Sequence, residues 1–213
     1  MKIASQAWQF VVPAVAAGSA GLWLMGRPSS MPLGATLAFL AFGFAAFTLY
    51  FFRDPERSLP TDGRIYSTGD GVVLSLGREG PGDVVTLRIF LSVFDVHIQR
   101  APCAGRVTKV AHVPGSFAAA MKDADRGNER VVMTIEPEKH SALIVEQIAG
   151  LIARRIEFWR KPGDTVAAGE RYGIIYFGSQ AAVHFPAGAR CIVKVGDRVA
   201  GGLTPIGEWT NKA

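Results

Sequence analysis

The chain has 213 residues, of which 49% are hydrophobic, and its formal net charge is +5. Residues 1–52 contain Lys2 and Arg27 and no acidic residue, so setting these two aside from the 23 lysines and arginines leaves 21 basic against 18 acidic residues, a net charge of +3. This weak charge, with no basic run interleaved with aromatic residues, lacks the pattern of a nucleic-acid-binding protein, and we expect no nucleic acid as a partner.

Two hydrophobic segments, 8–26 and 31–52, open the chain. The second carries no charged side chain and is long enough to cross a hydrocarbon core of about 30 Å as a helix. The first contains Pro13 and is the weaker span. Joined by the short polar connector 27–30, the two segments predict a helical hairpin that anchors residues 1–52 in the membrane, followed by a separate domain over 53–213.

Two other interpretations of the first segment are open, a cleaved signal peptide and an anchor that inserts only partly. The thin basic region, Lys2 alone, and the second hydrophobic segment directly after it argue against a signal peptide. Positive charge is more frequent at the two ends of the hairpin, which carry Lys2, Arg53 and Arg57, than at its connector, which carries Arg27. This bias favours a domain on the cytoplasmic side of the cell membrane.

Beyond residue 60 the sequence changes to short apolar runs that are broken by Gly, Pro and Asp. Brief strands between turn signals are typical of a β-sandwich or barrel, so we predict a mainly β fold. Residues 141–153 suit a helix or a strand equally. The predicted strands are Gly71–Leu76, Val84–Leu91, Gly105–His112, Arg130–Glu136, Arg155–Trp159, Tyr172–Phe177 and Arg190–Val195.

One short pattern occurs twice in this region. "KPGDTVAAG" at 161–169 returns as "KVGDRVAGG" at 194–202, with Lys, Gly, Asp, Val, Ala and the final Gly in register. Each copy predicts a tight turn and a buried valine, so we expect an internal hairpin repeat. The spacing resembles the hairpins of lipoyl- and biotinyl-type domains and implies a barrel-sandwich-like β domain. No lysine stands at a suitable hairpin tip for a carried group.

Neither the cysteines nor two of the histidines suggest chemistry. Cys103 and Cys191 have no metal-type spacing, and we expect packing roles, no disulfide and a reducing compartment. His112 and His140 are predicted surface residues, and no metal site is expected.

The stretch "RYGIIYFGSQAAVHFP" at 171–186 places Gly178 and Ser179 between two strand-like apolar pieces. Gly and Ser are common turn residues, so a surface turn is the simplest interpretation. The two repeat copies flank this stretch, however, which makes a structurally or chemically special position the alternative.

Six segments in order resemble the phosphatidylserine decarboxylase family, in its short bacterial, membrane-anchored form. They are "FFRDPER" (51–57), "YSTGDGVV" (66–73), "IFLSVFDVHIQRAPCAGRV" (89–107), "NERVVMTIE" (128–136), "QIAGLIARRI" (147–156) and "RYGIIYFGSQAAVHFP". The resemblance covers nearly all of the soluble part.

The resemblance implies that the chain cleaves itself between Gly178 and Ser179 and that Ser179 becomes a covalent pyruvoyl group, the only cofactor expected. The large chain 1–178 and the small chain 179–213 would then stay partners. The implied reaction converts phosphatidylserine to phosphatidylethanolamine and carbon dioxide through a Schiff base. Membrane lipids are the implied surroundings, and a homo-oligomer is left open.

Further site residues follow from the same resemblance. His97 is the implied base, and Asp70 its orienting carboxylate, with Asp95 as the local rival because it lies two residues before His97. His184 is a candidate for the substrate pocket. Longer family members have a second histidine where this chain has Arg100, which is either a contact to the lipid phosphate or a solvated surface residue.

A second function class is open at this point. A membrane-anchored barrel-sandwich adaptor without chemistry would explain the hydrophobic hairpin and the repeat equally well. It gives no reason for Gly178, Ser179 and His97 to occur together.

Overall fold

The structure, a computed structural model, describes residues 2–79, 84–117, 127–150 and 155–210. The chain divides into two compact units, Met1–Glu56 and Arg57–Ala213. This division falls shortly beyond the predicted domain boundary at residue 52.

The first unit is the expected helical hairpin. Helices α1 (Trp8–Met25) and α2 (Met31–Phe51) are both long and apolar enough to span a membrane. The two helices approach closely at Gly21 and Gly34. A Cβ added to Gly21 would lie 2.6 Å from the backbone nitrogen of Ala38, and one added to Gly34 would lie 2.8 Å from that of Met25. Strand β1 (Lys2–Ile3) pairs with β2 (Arg53–Asp54) and brings the two ends of the hairpin together.

Within the described residues, the second unit consists of short strands joined by turns. These strands are β3 (Ile65–Tyr66), β4 (Gly71–Glu79), β5 (Val84–Leu91), β6 (Ile98–Arg100), β7 (Gly105–Val113), β8 (Arg130–Glu136), β9 (Leu143–Ala149), β10 (Ile156–Phe158), β11 (Thr165–Val166), β12 (Arg171–Ile175), β13 (Ser179–Phe185), β14 (Ala189–Cys191), β15 (Arg198–Val199) and β16 (Pro205–Trp209).

The largest sheet has eight strands in the order β11-β7-β8-β9-β13-β5-β4-β15, and all its pairings are antiparallel. Three-stranded sheets β10-β12-β6 and β14-β16-β3 complete the unit. One face of the large sheet carries the core, because side chains alternate along each strand. Leu87, Ile89 and Leu91 of β5 and Ala181, Val183 and Phe185 of β13 all belong to it.

The two copies of the repeat form the two edges of the large sheet. In each copy an Asp carboxylate accepts the backbone N–H of the preceding Lys at 3.0 Å, Asp164 from Lys161 and Asp197 from Lys194. The closing glycines of both copies have positive φ and meet, since a Cβ on Gly202 would lie 3.0 Å from the Cα of Gly169. The sheet therefore curls until its edges touch, and the mainly β fold with a hairpin repeat is confirmed.

Several strand predictions differ from the structure in their bounds. Residues 141–153 contain strand β9, and 151–153 lie outside the described residues. The strand predicted over Arg190–Val195 ends at Cys191, because Lys194 already begins the second repeat turn. Both cysteines are free, and burial raises the pKa of the Cys103 thiol to about 12, which suits a packing residue.

Candidate active site

Ser179 is the first residue of β13, an inner strand of the large sheet. It lies opposite Leu91 of β5 and Ala149 of β9, and none of its surface is exposed. Its hydroxyl has no hydrogen-bond partner among the described residues. A buried hydroxyl without a partner loses about 1–3 kcal/mol of solvation, so this serine is poorly explained as a surface turn.

The backbone before Ser179 bends sharply. Phe177 has φ 58° and Gly178 φ 88°, so two successive residues lie in the left-handed region. For a bulky residue such as Phe177 this conformation is uncommon and costs about 1–3 kcal/mol. The backbone bends at residues 176–178, which includes Gly178 of the predicted turn, but Ser179 already belongs to β13. The strain lies directly beside the Gly178–Ser179 peptide bond.

His97 contacts this bend from 81 residues away in sequence. It is fully buried, and its Nε2 accepts a hydrogen bond from the backbone N–H of Gly178 at 3.1 Å. Its Nδ1 lies 3.0 Å from the carbonyl oxygen of Asp95, which can only accept. The proton therefore sits on Nδ1, and the basic lone pair of Nε2 faces the residue before Ser179.

The two candidate orienting carboxylates make other contacts. Both oxygens of Asp70 accept from the guanidinium of Arg57, at 2.7 and 2.8 Å, and one also accepts the N–H of Gly201. The carboxylate of Asp95 accepts from the backbone N–H of Ser92 and from Arg198. In this arrangement Asp95 orients His97 through its backbone carbonyl, and the role of Asp70 toward His97 stays a prediction.

Arg100 is buried, with 1% of its surface exposed, so the interpretation as a solvated surface residue is wrong. Its guanidinium donates to the carbonyl oxygen of Gly169 at 3.0 Å, where the two repeat copies meet. Its contact with a lipid phosphate stays a prediction.

His184 lies on the same strand as Ser179 but five positions away, so the two side chains point to opposite faces of the sheet. Its Nδ1 contacts the hydroxyl of Thr86 at 2.9 Å, and its Nε2 lies 3.1 Å from the carboxylate of Glu146. A place for His184 in the pocket of Ser179 stays a prediction that this position does not support.

Glu146 is the centre of a charged cluster on this opposite face. Burial raises its pKa, but the hydrogen bond and charge of His184 and the charges of Arg130 and Arg88 bring the pKa below its ordinary value. The carboxylate therefore stabilises the fold as an anion.

Glu146→Gln is expected to reduce the free energy of unfolding at pH 7 by about 1–3 kcal/mol, because its cationic neighbours lose their partner. The pKa of Glu146 is lowered in the folded state, so this contribution is present above the unfolded value of about 4.3 and is lost as pH falls through the folded pKa. Urea titrations of the detergent-solubilised protein between pH 7 and pH 3 should show the difference from wild type shrinking. Glu208→Gln, which removes an exposed pair with Arg190, is the control. A difference that is constant over this pH range would contradict the assignment.

Sequence reasoning gave no role in the site to Arg57, Gln99 and Gln147. Arg57 holds Asp70, and both glutamines are fully buried. For Gln147 a signal was present, because it alternates with the buried apolar residues Leu143 and Val145 on β9. Among the described residues no cluster of His, Cys, Asp and Glu could hold a metal ion.

Comparison with known proteins adds a family to this geometry. Residues 44–207 match the family model described as phosphatidylserine decarboxylase. The chain is similar to the phosphatidylserine decarboxylase proenzyme of Symbiobacterium thermophilum, with 42% identity covering 97% of this chain and 95% of the relative. The proenzyme of Solibacter usitatus is 40% identical over 97% and 96% of the two chains, and that of Gluconacetobacter diazotrophicus 43% over 92% and 89%.

Proposed function

The chain belongs to the phosphatidylserine decarboxylase family, and on that premise we propose that it converts phosphatidylserine to phosphatidylethanolamine and carbon dioxide with a pyruvoyl group made from its own Ser179. The observation that carries the proposal is the contact of His97 Nε2 with the N–H of Gly178, beside a buried serine hydroxyl that has no partner in the described part of the chain. The relatives are named as proenzymes, which supports processing of a precursor.

Processing begins with attack of the Ser179 hydroxyl on the carbonyl carbon of Gly178. Once Nε2 of His97 releases the Gly178 N–H, it takes the hydroxyl proton and returns it to the departing nitrogen, which converts the peptide bond to an ester. Loss of the α-proton of residue 179 then eliminates the Gly178 carboxylate and leaves dehydroalanine. Addition of water releases ammonia and leaves a ketone at residue 179. The strained bend at 177–178 favours the first step, because breaking the peptide bond relieves it.

The residues present fit such a group. Ser179 is held in register between β5 and β9, so the strands on both sides fix the position of residue 179. A pyruvoyl group at residue 179 would supply an electrophilic carbonyl for the substrate amine and an electron sink for the carboxyl bond that breaks. The buried surroundings exclude water, and His97 supplies the proton that the α-carbon takes up after carbon dioxide leaves.

The test measures carbon dioxide released from carboxyl-labelled phosphatidylserine in mixed micelles, together with the denatured masses of the same preparation. We expect labelled carbon dioxide, a piece ending at Gly178 and a piece 179–213 that is lighter by one ammonia than simple hydrolysis gives. A single full-length mass from fully active protein would exclude the pyruvoyl route.

The helical hairpin is proposed to hold the enzyme at the membrane, where the acyl chains of its substrate remain, with the second unit on the cytoplasmic side. Deleting residues 2–52 should release the protein from membranes in a flotation assay and leave cleavage intact, since His97, Gly178 and Ser179 all lie outside the deleted segment. Full-length protein that stays in solution without detergent would contradict this role of α1 and α2.

A further inference from the structure

Two buried glutamines have no explanation in the processing chemistry. Gln99 and Gln147 are each fully buried, and neither amide oxygen nor amide nitrogen has a hydrogen-bond partner among the described residues. A buried amide left unpaired costs about 1–3 kcal/mol. Two such amides in one interior indicate a ligand that both of them contact.

Gln147 lies on the same face of the large sheet as Ser179. Ala149 is opposite Ser179, and Gln147 is opposite Ala181, so all four side chains point into the core. Gln147 and Ser179 are thus diagonal neighbours, about 7 Å apart, which a long side chain spans. A glycine makes room for the amide, since a Cβ on Gly173 would lie 2.8 Å from its nitrogen.

Gln99 reaches the same interior from the smaller sheet. It pairs with Gly173 across β6 and β12, the glycine on which the Gln147 amide lies. Its own amide lies against Gly69, where an added Cβ would be 3.0 Å from both amide atoms and 3.3 Å from a methyl of Leu91. Leu91 is directly opposite Ser179 on β5. Gly69 and Gly173 therefore leave space for the two amides, the Gln99 amide near Leu91 of β5 and the Gln147 side chain on β9, and β5 and β9 are the strands that flank Ser179.

We infer that the carboxamides of Gln99 and Gln147 bind the α-carboxylate of the serine headgroup in the substrate. This inference rests on the proposed function. The carboxylate is the group closest to the reacting amine, and each amide offers two N–H donors to its oxygens. Neutral donors also suit the reaction, because a cation paired with the carboxylate would stabilise the substrate more than the transition state in which that charge leaves.

The contact is made to the substrate carboxylate before the carboxyl bond breaks. Because neutral donors stabilise the carboxyl group to a similar degree in the substrate and in the transition state, the loss of this contact raises KM and leaves kcat nearly unchanged. It also lowers the affinity for a headgroup that has the carboxylate and leaves unchanged the affinity for one that lacks it.

The experiment uses full-length processed enzyme in detergent after borohydride reduction of residue 179, so that binding is measured without reaction. Calorimetry with glycerophosphoserine and with glycerophosphoethanolamine compares wild type with Gln147→Leu and Gln99→Leu. Each variant should lose about tenfold in affinity for glycerophosphoserine and retain its affinity for glycerophosphoethanolamine. If a leucine variant fails to fold, Gln→Met at the same position replaces it. Ser75→Ala is the control, since it removes another buried hydroxyl for which the described residues provide no hydrogen-bond partner.

Unchanged affinity for glycerophosphoserine in both variants would overturn the inference, and so would an equal loss for the two headgroups. The melting temperatures of the leucine variants are measured as well. Values at or above that of wild type show that the loss of affinity comes from a lost ligand contact and not from a damaged fold. A third outcome separates the two proposals. If the wild-type protein releases no carbon dioxide while the glutamine variants still bind glycerophosphoserine more weakly than wild type does, the proposed function is overturned and the carboxylate contact is supported.

Discussion

Ser179→Ala should leave the protein as one uncleaved chain without decarboxylase activity, the largest effect expected from any single change. The substitution removes the attacking hydroxyl and the oxygen that the elimination requires. Since the Ser179 hydroxyl has no partner among the described residues, its removal should not destabilise the fold. The measurement is denatured mass together with carbon dioxide release, for wild type and variant side by side.

Two further substitutions at this position grade the effect. Ser179→Thr keeps the hydroxyl but adds a methyl group that restricts its rotation, and it should cleave slowly at best. Ser179→Cys keeps a nucleophile and should cleave in part. Ser75→Ala is the control, and it should process and turn over like wild type. Equal carbon dioxide release from wild type and Ser179→Ala would eliminate the pyruvoyl mechanism.

His97→Ala should accumulate the uncleaved chain, with processing slowed by at least about 10²-fold, because the general base is lost. His97→Gln is the sharper variant, since its amide oxygen can still accept the Gly178 N–H but cannot take up a proton. Time courses of the two fragments after synthesis measure the rate. His112→Ala, which changes an exposed histidine paired with Glu129, is the control and should process normally. Normal processing in both His97 variants would remove His97 as the base.

The same time courses separate the two carboxylates. Asp70→Asn is expected to slow processing, and Asp95→Asn to do so only if Asp95 is the orienting group. Because Arg57 holds both oxygens of Asp70, Arg57→Gln is the matched variant. Slowing by Asp70→Asn alone supports a direct role toward His97. If Asp70→Asn and Arg57→Gln slow processing equally, the role of Asp70 is instead to position the turn at Gly201.

Local patterns in the sequence determined much of the fold. The uncharged segments 8–26 and 31–52 predict α1 and α2 within one residue at each end, since an uncharged apolar run of this length suits a helix that spans a bilayer and satisfies its own backbone hydrogen bonds. Strands β5 and β8 have their predicted bounds, because alternation and flanking turn residues specify them locally. The repeated Lys-x-Gly-Asp turns likewise follow from residues within one short stretch. The family resemblance of the sequence was enough to predict Ser179 as the cleavage residue and His97 as the base.

Tertiary structure alone decided how these residues meet. The contact of His97 with Gly178 joins parts of the chain 81 residues apart, and no local pattern specifies a partner at that distance. Pairing with Arg57 decided the contacts of Asp70. The sequence left Gly178 and Ser179 as a possible turn, and only the structure shows that β13 already begins at Ser179, so that the odd spacing of five residues puts Ser179 and His184 on opposite faces. Register and long-range pairing are set by how the whole sheet packs, and only the folded chain fixes them.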